Sequence, residues 1–186
     1  MCKLQWKLLK LNYPKKTNFF TTKMIGNDIV DWALSKAESN WQRKGFLAKI
    51  FTQEEQLYIK NAANSEQIVW NLWTRKEAAY KIYNRETCYR GFIPLRLQCV
   101  YENENSGMVT CDGYTYYTQT QISKESIYTI AVTKKEYFKK IISVDRKTKI
   151  FKNKGVPYLI DDVNFNCKPV SITHHGQLWK GVTLSL

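Results

Sequence analysis

The sequence predicts an α+β protein in which an antiparallel β-sheet packs against helices. Three observations carry this. Residues 66–84 repeat apolar positions at three- and four-residue steps, Thr52-Gln-Glu-Glu55 has the spacing of a helix start, and after Gly91 the chain turns to short runs of β-branched and aromatic residues. With 186 residues, 44% hydrophobic and 14% aromatic, the chain can bury a real core, and this composition excludes a disordered protein.

Taken in order, Ile25 to Val30 reads as a short strand entering a turn and then a helix. Residues 31–60 have a helical pattern, with Phe46, Leu47 and Ile50 at helix spacing. Thr52 and Glu55 form a capping box, in which hydroxyl and carboxylate satisfy free N–H groups at a helix start near residue 53. In 66–84, Val69, Leu72, Trp73, Lys76, Tyr80 and Tyr83 recur at helical steps, the strongest helix signal of the chain. Strands are predicted over 95–101, 107–113, 114–120 and 127–132, and Asp112-Gly113 is a two-residue hairpin turn. Residues 134–154 read as a helix followed by a loop. Strands near Tyr158, over 170–172 and over 180–186 complete the chain.

The formal charge of +13 is unevenly placed. Residues 1–23 hold six lysines and no acid, and residues 134–154 hold nine Lys/Arg against Glu136 and Asp145, so these two segments account for +6 and +7 and the rest sums to zero. Such a layout concentrates anionic partners, whether nucleic acid, phosphorylated cofactor or acidic protein. Residues 1–23 are expected to be a basic extension that is disordered or, with translation starting at Met24, not made at all; residues 24–186 form the folded domain. Five widely spaced cysteines without a CxxC pair point to a reducing, cytoplasmic setting and no structural zinc. No apolar run approaches the roughly 20 residues needed to span a bilayer.

Three short segments carry chemistry. In the 66–84 helix, Trp73, Glu77 and Lys81 are spaced i, i+4 and i+8 and lie along one face, which by itself reads as an ordinary surface ion pair. Gly26-Asn-Asp28-Ile-Val-Asp31 places an acid after a glycine at a strand, which alone is common turn chemistry. Lys154-Gly-Val-Pro157 and Pro169-Val-Ser-Ile-Thr-His174-His175-Gly176 combine a turn-forming Gly and Pro with hydroxyl and imidazole donors. Adjacent histidines on a strand point to opposite faces, which argues against a two-histidine metal site.

Read together, GNDIVD, FLAKIFTQEE, WTRKEAAYK, GVP and PVSITHHG resemble the successive motifs of the 4'-phosphopantetheinyl transferase superfamily. The likeness covers residues 24–91 and 154–186, leaving a β-rich and basic insertion at about 101–153. The resemblance implies that family's fold and transfer of 4'-phosphopantetheine from coenzyme A to a serine of an acidic acyl or peptidyl carrier protein, releasing adenosine 3',5'-bisphosphate. It implies Asp28 and Glu77 as Mg²⁺ ligands, Lys81 on the reacting phosphate, and Gly155, Pro157, Ser171 and His174 on coenzyme A. A metal-bound water or Glu77 would take the serine proton. Thr173 replaces the usual serine, and His175 follows the histidine. Val30 stands where the long, monomeric branch carries a further acid, so the site is closer to the short branch, holo-acyl-carrier-protein synthase, whose members form trimers; a homo-oligomer is therefore expected. Arg43 and Lys44 are candidates for docking the carrier protein, with 134–154 as another basic region. The alternatives are a nucleic-acid-binding module, for which no binding motif accompanies the charge, and a non-catalytic coenzyme A-binding relative, against which the complete Asp28, Glu77 and Lys81 set argues.

Overall fold

A 23-residue helix organises the molecule. The computed structural model describes residues 24–161 and 167–185, so the expected extension at 1–23 lies outside the described residues. The element order is β1 (Ile25–Asp31), α1 (Trp32–Glu38), α2 (Phe46–Ile50), α3 (Gln53–Asn61), α4 (Ser65–Thr87), then β2 (Gln98–Tyr101), β3 (Ser106–Cys111), β4 (Tyr114–Ile122) and β5 (Ser126–Val132). A 3₁₀ turn (Lys135–Lys140) leads to β6 (Ile141–Val144), β7 (Phe151–Asn153), β8 (Val156–Ile160), β9 (Cys167–His175) and β10 (Leu178–Leu184).

Helix α4 starts at Asn64, whose side chain accepts from the Gln67 N–H, and stops at Cys88 in the left-handed region. It buries Ile68, Val69, Leu72, Ala78, Ala79 and Ile82 against one antiparallel sheet of order β1-β5-β4-β3-β2. Each fully buried Val, Leu or Ile side chain there stabilises the fold by about 1.5–3 kcal/mol. Residues of the basic, β-rich middle thus supply four of the five strands, and β5 pairs with β1 from Ile25↔Val132 to Asp31↔Ser126. The β3–β4 hairpin turns on Asp112 and Gly113, both at positive φ, as its tight turn requires.

The capping box is present in full: the Thr52 hydroxyl accepts from Glu55 N–H and the Glu55 carboxylate from Thr52 N–H. Glu55 does more. It is 1% exposed, pairs with the fully buried ammonium of Lys76 at 2.7 Å, and accepts the Cys99 N–H at 2.7 Å, while Lys76 also donates to Pro94 O and Leu97 O. One buried ion pair therefore joins α3, α4 and β2.

Two expectations are corrected. The helical pattern over 31–60 is realised as three short helices, because the stretch after α1 holds turns and Gly45 at φ +80, where an L side chain is strained. Beyond the 3₁₀ turn, 134–154 is not a loop but supplies β6 and β7. Ile141-Ile-Ser-Val144 pairs with β10, and Phe151 stacks on Tyr158 across β7 and β8. These strands flank a second antiparallel sheet of order β6-β10-β9-β8-β7. Ile25, Val132, Tyr137, Val182 and Leu184 form the core between this sheet and β1.

Candidate functional site

The site begins with Gly26. A Cβ at this position would overlap the Ala78 carbonyl and crowd Ile82, so only glycine lets β1 lie directly on α4. That approach brings Asp28, two residues along the strand, to Lys81, one turn along the helix. The Lys81 ammonium donates to Asp28 Oδ1 at 3.1 Å and to the Asn27 carbonyl at 2.6 Å. Asp28 is largely buried, its side chain 13% exposed, against 27% for Lys81.

Glu77 lies one helical turn before Lys81. Burial, then the negative charge of Asp28, push its carboxyl up to about 7, with Lys81 acting in the opposite sense. Burial also raises Asp28, offset by Lys81, the Thr173 hydroxyl and the Ile29 N–H. Glu77 thus feels the charge of an acid 49 positions away in sequence. Trp73, the third residue of the same face, instead packs edge-on against Trp70 and Phe92.

The second sheet closes the open side of β1 through alternate residues of β9. The Ser171 hydroxyl accepts the Asn27 N–H at 3.0 Å, the Thr173 hydroxyl donates to Asp28 Oδ1 at 3.0 Å, and His175 Nδ1 accepts the Asp31 N–H at 2.8 Å. An edge strand leaves such N–H groups unpaired, and here side chains two residues apart cap them. Ser171 is 1% exposed, with its hydroxyl accepting the Asn27 N–H. His174 is exposed, on the face opposite Thr173. The period-two spacing of Ser171, Thr173 and His175 was the signal in the sequence for this seam.

Gly155, at φ +81, turns the β7–β8 hairpin. Arg90, just beyond α4, donates to the Lys154 carbonyl, and buried Arg85 donates to the carbonyls of Val170, Pro157 and Ile25, tying β1, β8 and β9 to the helix. Gly155 and Pro157 thereby lie on the same side of the fold as the C-terminal end of α4. Arg43 and Lys44 are exposed just before α2, with the Arg43 guanidinium over the Phe46 ring.

Among the described residues no group of three or more His, Cys, Asp and Glu gathers around one point. Two carboxylates near one ammonium are nevertheless a donor set suited to Mg²⁺, which keeps several waters and takes its remaining oxygens from substrate phosphates. Burial first, and then the nearby Asp28 charge, raise the Glu77 carboxyl, and Lys81 offsets them only in part. Asp28 and Glu77 would hold the Mg²⁺.

Comparison with known proteins gives one finding. A family model described as the 4'-phosphopantetheinyl transferase superfamily matches residues 24–137. That span runs from Met24 through β1–β5, and residues 138–186 lie beyond it. No curated protein matches the chain.

Proposed function

Since this chain belongs to the 4'-phosphopantetheinyl transferase superfamily, we propose that it uses Mg²⁺ to transfer phosphopantetheine from coenzyme A to a serine of an acidic carrier protein. The other product is adenosine 3',5'-bisphosphate. The observation that carries this reading is the convergence of Asp28, Glu77 and Lys81 from a strand and a helix that Gly26 alone allows to touch.

Transfer breaks the bond between the phosphopantetheine phosphorus and the oxygen bridging to the nucleotide, and forms one to the serine oxygen, whose proton passes to a base, with Glu77 or a water on the metal as the candidates. Negative charge builds on phosphoryl and leaving-group oxygens. Bound Mg²⁺ would neutralise part of that charge. Lys81 contributes a second positive charge, held in place by the Asn27 carbonyl and Asp28, so it needs little reorganisation as the reaction proceeds. Gly155, Pro157 and His174 remain the candidates for coenzyme A itself. Ser171 is proposed to serve the seam between β1 and β9. Arg43 and Lys44, exposed and unpaired with any acid among the described ion pairs, are proposed to meet the carrier protein.

Val30 supports the holo-acyl-carrier-protein synthase type, with fatty-acid synthesis the natural setting and the cytoplasm the expected compartment. No described helix is long and apolar enough to cross a membrane. The test is mass spectrometry of an apo-carrier protein incubated with the chain, coenzyme A and Mg²⁺. One added phosphopantetheine, lost with EDTA and with Asp28→Ala or Glu77→Ala, is the expected result. A carrier left unmodified by active-folded protein, or modified equally by both variants, refutes the proposal.

A further inference from the structure

The family match ends at residue 137, yet a residue of β9 touches the acid at the centre of the site. Of the three residues that join β9 to β1, Ser171 and His175 meet backbone N–H groups, whereas Thr173 meets the Asp28 carboxylate. Both side-chain donors to that carboxylate, Thr173 Oγ1 at 3.0 Å and Lys81 Nζ at 3.1 Å, fall on Oδ1.

Rotation of a carboxylate about its last bond is soft, so its donors decide which way the second oxygen faces. The two donors differ in stiffness. Lys81 reaches Asp28 on a four-carbon stem and is 27% exposed. Thr173 is β-branched, 6% exposed, and sits on a strand fixed to β1 on either side by Ser171 and His175. The rigid donor is the threonine. Mg²⁺ demands near-ideal octahedral geometry, and partners that orient a metal ligand are worth about 10–100-fold in metal affinity.

We infer that Thr173 is a positioning residue, which acts through Asp28 by fixing its carboxylate for the metal, and that the sheet outside the family match is thereby a working wall of the site. This rests on the reading of Asp28 as a Mg²⁺ ligand. A hydroxyl that merely satisfied a buried acid would affect folding and leave metal affinity alone, so the two roles separate by experiment.

The test compares the full chain with Thr173→Val, which removes the hydroxyl at constant shape, and Thr173→Ser, which keeps it. Binding of Mn²⁺, a stand-in for Mg²⁺ visible by electron paramagnetic resonance, is measured without substrate, alongside melting in EDTA and the Mg²⁺ dependence of transfer. Thr173→Val is expected to weaken Mn²⁺ binding about ten-fold and to raise the Mg²⁺ concentration for half-maximal transfer similarly, with kcat at saturating Mg²⁺ within two-fold of wild type. Thr173→Ser is expected within two-fold of wild type throughout. Should Thr173→Val not fold, Thr173→Ala takes its place under the same thresholds. Wild-type Mn²⁺ affinity in the hydroxyl-free variant overturns the inference, as does a Thr173→Ser variant as weak as Thr173→Val. Wild-type protein that binds no Mn²⁺ overturns the metal-site reading beneath it as well.

Discussion

Glu77→Gln should make the protein more stable at alkaline pH while abolishing transfer, and the size of the effect follows from the site. An ordinary glutamate loses its proton near 4.5, but burial and the Asp28 charge hold Glu77 protonated to about 7. Between these values the folded chain keeps a proton that the unfolded chain has released, so stability falls as pH rises through the window. Below about 4.5 both states are protonated and the penalty is absent; above about 7 it is complete. At about 1.4 kcal/mol per pH unit, the interval from 4.5 to about 7 corresponds to about 3 kcal/mol. Glutamine carries no charge and removes that penalty. Urea unfolding of wild type and Glu77→Gln from pH 4.5 to 8.5 in EDTA is therefore expected to show the variant gaining on wild type with pH, reaching about 3 kcal/mol by pH 8. A difference that stays constant across the range would refute the claim that burial and the Asp28 charge hold the Glu77 proton to about 7.

Gly26→Ala should cost about 1–3 kcal/mol in urea unfolding and most of the transfer activity, because β1 must retreat from Ala78 and carry Asp28 away from Lys81. Lys76→Met should destabilise by about 3–5 kcal/mol, since it strands the Glu55 carboxylate with no cation in a buried position; thermal melting checks it. Charge reversal at the docking candidates, Arg43→Glu with Lys44→Glu, should raise KM for the carrier protein several-fold and flatten its salt dependence, leaving kcat and stability near wild type.

Local signals in the sequence were dependable where the physics is local. The Thr52–Glu55 capping box needs only four consecutive residues, and the hairpin at Asp112-Gly113 needs only two. The 66–84 helix period anticipated α4, with both ends extended slightly in the fold. Asp28, Glu77 and Lys81 could be singled out from motif order, and the fold brings them together. What pairs across long separations was not legible. Nothing near Glu55 in sequence announces that its carboxylate will serve Lys76 and Cys99 as well as its own helix start. Nor could the Ser171, Thr173 and His175 alternation be told from a ligand-binding strand until β9 lay beside β1. Residues 134–154 misled because their lysines mask the β-branched run Ile141–Val144 and the three-residue strand Phe151–Asn153, whose partners come from β10 and β8.

The seam along β1 also limits how copies of this chain can associate. Open sheet rims recruit further strands, from neighbours or from misfolded material, and this one would present Asp28 at its centre. With Ser171 and His175 holding the N–H groups of Asn27 and Asp31, that rim offers neither of these donors to an incoming backbone. Among the described strands, an assembly built by strand addition would use β2, at the opposite edge of the sheet that bears Asp28, or β6 or β7, the edges of the other sheet.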